Sequence, residues 1–243
     1  QLHSGQMQVF QSPHRFKVVC AGRRWGKSRL SISTIIRAAA KERKQRVWYV
    51  APTYQMARQI LWDDLQEVLP RKWIRKKNDT TMTIVLKNGS EIALKGADKP
   101  DTLRGVALHF VVLDEFQDMK PDTWYKVLRP TLSSTRGGAL IIGTPKGFSE
   151  FHKLWTIGQN KELQRKGQWK SWQFVTADSP FVPTAEIEAA KNDMDPKSFA
   201  QEYLASFENM SGRVYYPFDR SVHVKPLQFN PKLPVWVGQD FNI

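Results

Sequence analysis

Short apolar runs rich in β-branched and aromatic residues recur along the chain: Phe16 to Cys20, Val47 to Val50, Met82 to Leu86, Glu91 to Leu94, Leu108 to Leu113, Ala139 to Ile142 and Trp172 to Thr176. Each has the length and composition of a strand. Helically spaced apolar positions separate several of them, notably over Arg29 to Lys41 and Tyr54 to Leu69. Strands alternating with helices predict an α/β fold whose mostly parallel sheet is flanked by helices. Leu108 to Leu113 is apolar apart from His109, as a strand buried on both faces should be. Asn88-Gly89 between two alternating runs predicts one antiparallel hairpin.

Beyond about Phe148 the pattern loosens. A helical stretch from Glu150 to Ile157 leads into a Lys/Gln-rich link over Asn160 to Lys170, then the strand at Trp172, then helices over Ala185 to Asn192 and Pro196 to Glu208. This texture predicts a core over 1–150 and a small lid subdomain over 151–215. A linker over 216–234 contains the proline-punctuated stretch from Lys225 to Pro234. Val235 to Phe241 then reads as the first strand of a further domain.

The turn between the first strand and the first helix carries the chemistry. Ala21-Gly22-Arg23-Arg24-Trp25-Gly26-Lys27-Ser28 ends in Gly-Lys-Ser, and strand, Gly-rich turn and helix is the context of a phosphate-binding P-loop. Backbone N–H groups there converge on an anion, Lys27 neutralises β- and γ-phosphates, and Ser28 holds Mg2+. Ala21 replaces the usual first glycine; the turn needs a small residue there. Val111-Val112-Leu113-Asp114-Glu115 is an apolar strand ending in two carboxylates, with Asp114 expected to share the metal with Ser28 and Glu115 to act as general base on the attacking water. Gly143-Thr144-Pro145 closes another strand. Thr144 either contacts the γ-phosphate or its water, or belongs to an ordinary turn. Thr53 caps the helix after Ala51-Pro52, whose N-terminus either holds a DNA phosphate or is a plain capped turn. Arg23, Arg24 and Arg104 are candidates for a guanidinium on the transition-state charge, against the ordinary alternative of solvated surface arginines.

Composition narrows the partners. The 243 residues carry a formal net charge of +14, with 41% hydrophobic residues. That is enough apolar content for a core, and a charge that points to a polyanion, foremost nucleic acid. No run reaches the roughly 18 apolar residues of a membrane span, no basic amphipathic helix with a strong apolar face stands out, and no signal peptide is visible. The start at Gln1 points to a trimmed N-terminus. The single cysteine, Cys20, excludes an internal disulfide framework, fits a reducing compartment and reads as a small buried hydrophobe.

Taken in order, these segments resemble the ATPase portion of a large terminase subunit, the DNA-packaging motor of tailed double-stranded DNA bacteriophages. The resemblance rests on Leu2-His3-Ser4-Gly5-Gln6, the P-loop with Arg23, Ala51-Pro52-Thr53, Leu103-Arg104-Gly105, Val112-Leu113-Asp114-Glu115, Gly143-Thr144-Pro145 and Gln201-Glu202-Tyr203-Leu204-Ala205-Ser206-Phe207. It implies a P-loop NTPase of the additional-strand, RecA-like type that uses ATP and Mg2+. It implies that Gln6 contacts adenine, that Arg104 acts in trans on a neighbour's ATP, and that Gly143, Thr144 and Pro145 couple hydrolysis to movement. Its implied partners are double-stranded DNA, the portal protein, the small terminase subunit and copies of itself in a pentameric ring. The place of action would be the host cytoplasm and, transiently, the portal vertex of the procapsid. Asp240 matches the first carboxylate of the family's RNase H-like nuclease, which would start at 235–243. One carboxylate does not make a two-metal site, so a truncated nuclease without cutting activity is expected. Two other readings remain: a superfamily 2 helicase-like translocase, which shares Ala-Pro-Thr and Asp-Glu, and a nucleotide-binding scaffold with a dead P-loop.

Overall fold

In the computed structural model, residues 1–207 and Val224 are described. The chain begins with helix α1 (Ser4–Gln11) and strand β1 (Phe16–Ala21), followed by α2 (Lys27–Lys41) and β2 (Arg46–Ala51). Next comes α3 (Tyr54–Ala57), continued through a π-helical turn at Arg58–Trp62 into α4 (Asp63–Val68). Then β3 (Ile74–Asn78), β4 (Thr83–Leu86) and β5 (Glu91–Gly96) precede β6 (Phe110–Asp114). A second π-helical turn at Thr123–Leu128 runs into α5 (Arg129–Thr131), and β7 (Gly138–Gly143), α6 (Glu150–Gln159), α7 (Lys161–Arg165) and β8 (Trp169–Phe174) follow. The described part ends with α8 (Thr184–Asp193) and α9 (Pro196–Glu202).

The eight strands of the described residues form one sheet in the order β3-β4-β5-β2-β6-β7-β1-β8. From β5 to β8 every pairing is parallel, whereas β3, β4 and β5 are antiparallel neighbours. The α/β fold is therefore as the hydrophobic pattern predicts, including the hairpin turn at Asn88-Gly89. Each central strand is a nearly continuous apolar run, and because successive side chains point to opposite faces it is buried on both sides. On one face Val19, Val47, Tyr49, Val112, Leu140 and Ile142 pack with Leu30 and Ile35 of α2 and with Leu61 and Leu65 of the α3–α4 helix. On the other, Val18, Trp48, Val50, Val111, Leu113 and Ile141 pack with Trp124, Leu128 and with Phe151 and Leu154 of α6.

Some boundaries differ from the expectation. β3 reads as a polar run, Ile74-Arg75-Lys76-Lys77-Asn78, because it is an edge strand whose lysines and arginine face solvent. α1 is too short and too weakly amphipathic to stand out in the pattern. The link over Asn160 to Lys170 holds α7, whose first turn is capped by the Asn160 side chain, and the start of β8. β8 begins at Trp169 rather than Trp172, pairs in parallel with β1, and is covered by α6. The sheet thus continues past residue 150, and the strand assigned to the lid is an edge strand of the core. α8 buries none of its residues, while α9 buries Phe199. The helix expected to reach Glu208 stops at Glu202, where the Tyr203 carbonyl accepts the Thr176 N–H at 2.7 Å. The rest of the expected lid, the 216–234 linker apart from Val224, the 235–243 strand and Asp240 lie outside the described residues.

Candidate nucleotide site

Three strands deliver the motifs to one edge of the sheet. β7 lies between β1 and β6, the additional strand of the expected class. The registers are level: Cys20 is opposite Gly143, and Asp114 is opposite Ile142. The chain therefore leaves β1, β6 and β7 side by side at their carboxyl ends, where ligands of open α/β sheets bind. A cleft of about 800 Å3 opens there, lined by Arg23, Arg24, Gly26, Lys27, Ser28, Glu115, Thr144 and Pro145 among others. Its size is that of a ligand pocket.

Gly26 adopts φ +99°, a left-handed conformation that suits glycine, and so lets α2 begin at once with Lys27. This is why the helix starts two residues earlier than its apolar pattern. The Lys27 ammonium folds back over the loop, donating to Thr144 Oγ1 at 2.9 Å and to the carbonyls of Ala21 and Gly22 at 3.3 and 3.4 Å. Glu115 Oε1 stands 4.0 Å from the same nitrogen. P-loop lysine, candidate base and the threonine of the third motif thus meet around one point.

Asp114 is buried, and both its oxygens are held: Oδ2 accepts from the Tyr49 hydroxyl at 2.7 Å and Oδ1 from the Glu115 N–H at 2.9 Å. Burial, with the adjacent Glu115 charge second, pushes its carboxyl up to about 6. Glu115 itself sits at φ 51°, an uncommon conformation for a non-glycine residue. There its Oε2 accepts from Gln117 Nε2 at 2.6 Å. The two carboxylates differ in setting: one is fixed in the core, the other is half-exposed in the cleft.

The arginines are arranged otherwise. Arg23 forms an ion pair with Glu202, at the end of α9. Arg24 lines the cleft with φ 59°. Arg104 follows a 3-10 turn at Pro100–Leu103 and donates through Nε to Asp101 Oδ1 at 2.8 Å; it is exposed and lies outside the cleft.

Trp25 and Gln6 lie behind the P-loop. The Trp25 side chain does not face the cleft: it is fully buried, stacked on Phe174 of β8 and edge-on to His3. Gln6 is also buried and outside the cleft lining, with Nε2 donating to the Gly26 carbonyl at 2.9 Å and Oε1 accepting the His3 N–H at 3.0 Å. It braces the P-loop from behind. Cys20 is buried in β1, and burial pushes its thiol well up, as a structural hydrophobe requires. Thr53 does cap α3, accepting the Met56 N–H at 3.1 Å. Sequence reasoning missed Tyr49, Gln117 and the apolar wall of Met56 and Ile60. Of these only Gln117 carries a local signal, its place two residues after Glu115.

Fold and site together define an α/β protein of the P-loop class. Within that class the chain belongs to the family described as terminase large subunit, T4likevirus-type, N-terminal, which matches residues 18–221. It is 31% identical over 219 residues to the terminase, large subunit, of Escherichia phage T5, covering 88% of this chain and 49% of that protein. It is 32% identical over 247 residues to that of Thermus phage G20c, covering 93% and 47%. The chain spans about half the length of these curated relatives. Among solved structures, the large terminase ATPase domain of Thermus phage P74-26 superposes with a TM-score of 0.74 at 26% identity, covering 86% of this chain and 94% of that one. The large terminase of a thermophilic bacteriophage, solved in complex with ADP, shares the fold with a TM-score of 0.72 at 18% identity, covering 95% and 60%.

Proposed function

We propose that this chain is the ATPase motor of a phage large terminase, hydrolysing ATP with Mg2+ to drive double-stranded DNA into a procapsid. The observation that carries this reading is the meeting of Lys27, Glu115 and Thr144 at the level ends of β1, β6 and β7. The free N–H groups at the start of α2 would receive the phosphates, with Lys27 turning from Thr144 and the loop carbonyls toward them. Glu115, held by Gln117 beside the cleft, would orient the attacking water and take its proton. Thr144 shares a hydrogen bond with Lys27, so a change at the phosphates would pass directly to β7.

The donor chemistry fits Mg2+. Asp114 is a buried carboxylate whose charge is resisted by its surroundings, and a cation beside it relieves that resistance. Ser28 would supply the second protein oxygen, few protein donors being usual for this ion. When bound, Mg2+ neutralises charge on the β- and γ-phosphates. The net charge of +14 supports a DNA partner. Among the described residues no helix is long and apolar enough to cross a membrane. The portal protein, the small terminase subunit and a pentameric ring of this chain at the procapsid's portal vertex, within the host cytoplasm, complete the proposal. ATP turnover with and without duplex DNA and procapsids tests it. DNA-stimulated, Mg2+-dependent turnover is expected, and nucleotide binding without any turnover under assembled conditions would favour the scaffold reading.

A further inference from the structure

The two ends of the parallel sheet differ in charge. The carboxyl ends carry the cleft with Asp114 and Glu115; at the amino ends of β1, β7 and β8, level with one another at Phe16, Ala139 and Trp169, arginines gather. The Arg15 backbone is tied on both sides: its N–H donates to the Gly167 carbonyl at 3.0 Å and its carbonyl accepts the Ala139 N–H at 2.9 Å. Its guanidinium is spread on the loop before β7, Nε donating to the Gly137 carbonyl at 2.9 Å and Nη2 to the Leu132 carbonyl at 3.1 Å. It lies over the Phe16 ring, 4.7 Å from the centroid, and the Arg129 guanidinium lies over the same ring at 4.9 Å. Arg136 stands exposed on the loop that Arg15 holds. Among the described residues no carboxylate pairs with any of the three. Burial, and after it the charges of Arg129 and Arg136, hold the Arg15 pKa below the ordinary value for arginine. The charges acting on neighbouring His14 are also cations, Lys170 and Lys17. Like charges gathered in half-buried positions repel, and an anion seated among them removes that repulsion. The guanidinium fork matches a carboxylate or a phosphate.

We propose that Arg15, Arg129 and Arg136 form a docking point for an acidic segment of a protein partner, on the sheet edge opposite the nucleotide cleft. The shape of the cluster favours carboxylates over DNA. A duplex carries its phosphates on a stiff, wide cylinder and is met by cations that stand clear of the surface along a track. Here Arg15 and Arg129 lie half-buried against one aromatic ring, gathered around a single point. A glutamate or aspartate on a flexible stem reaches such a point, and guanidinia already held in place lose little freedom on binding. Arginine is also the cation enriched in protein–protein interfaces. This face is separate from the cleft, so it stands or falls apart from the nucleotide reading.

The test uses the whole chain with two probes, a fluorescent octaglutamate peptide and a duplex DNA oligonucleotide, each titrated at about 0.1 M salt. Arg129→Gln with Arg136→Gln should weaken the peptide about tenfold, the scale of charge-assisted hydrogen bonds. Arg75→Gln with Lys76→Gln, on the solvent-facing edge strand β3, removes the same charge and should weaken it by less than about twofold. Duplex binding should not single out Arg129 and Arg136 in this way. Thermal unfolding of each variant checks that it is folded. Should the Arg129 and Arg136 double variant fail to fold, Arg136→Gln alone carries the comparison, with a loss of about threefold in peptide affinity expected. A peptide loss equal in the two pairs of substitutions, or no peptide binding by wild type, overturns the docking point. A duplex that loses more affinity than the peptide on substitution of Arg129 and Arg136 gives this face to nucleic acid and overturns it as well.

Discussion

The carboxylates and the arginines of this cleft are built in opposite ways. Asp114 ends a central strand, and Glu115 and Lys27 are placed within a residue or two of strand or helix ends, so the sheet itself fixes their meeting. Arg23 and Arg104 sit on loops, exposed, and each is held by a carboxylate of its own chain, Glu202 and Asp101. The half of the site that would bind metal and phosphate is complete in one chain. The half that would stabilise the transition state is parked. In the proposed motor, a binding site that is ready while its arginines are occupied would let hydrolysis wait for a neighbour or for DNA.

The largest effect expected of this division is at Arg104. If it serves a neighbouring cleft, Arg104→Ala should lower turnover of the assembled motor by about 10³-fold or more while sparing ATP affinity. Mixing Arg104→Ala with Glu115→Gln protein should restore part of the activity, because some interfaces then hold both intact residues. Full turnover in a monomer, with nothing gained on mixing, would leave Arg104 a surface residue and give Arg23 the task. Glu115→Gln comes next: a loss of about 10²–10⁴-fold in turnover, with nucleotide titrations nearly unchanged. Near-normal rates would take the base role from Glu115.

A smaller effect concerns Asp114 in the nucleotide-free protein. Its folded pKa of about 6 lies above that of an unfolded aspartate, so the folded state keeps a proton that the unfolded state has lost. The stability this proton contributes is present at low pH and fades as pH rises through 6. Asp114→Asn should therefore raise the melting temperature at pH 8 by roughly 3–8 °C, equivalent to about 1–3 kcal/mol, with roughly half that gain at pH 5, little below about pH 4, and with turnover lost. An unfolding series in both proteins across that pH range decides it. Smallest is Gln6→Ala, which removes the brace on Gly26 and should cost about 1–2 kcal/mol in chemical denaturation. A change confined to ATP against GTP preference would instead restore Gln6 to adenine.

What the sequence made legible follows the same line. The P-loop, Asp114-Glu115 and Thr144 are readable because each is local: an apolar run ends and the functional residue comes next. The α/β class is readable because short, nearly continuous apolar runs alternate with helically spaced segments. β3 escaped because an edge strand protects itself with charge, and so looks like a loop. The burial of Trp25 against Phe174, the brace from Gln6 and the Arg23–Glu202 pair escaped because they join distant segments through a sheet order the pattern does not encode.

The position of β1 has a consequence for how the chain comes to be made. It leaves the ribosome before the other strands of this sheet, yet both its sheet partners, β7 and β8, lie more than a hundred residues later. At ordinary rates of synthesis, roughly 5–20 residues per second, this apolar strand and the P-loop after it wait on the order of ten seconds without a partner. β2 meanwhile gains β5 and then β6 on either side. Assembly should therefore start from the β2–β5–β6 half, with the nucleotide cleft closing last, when β7 slots between β6 and β1. Nascent chains stalled before Gly138 should accordingly expose the β1 strand to chaperones and proteases, and those released after Phe174 should not.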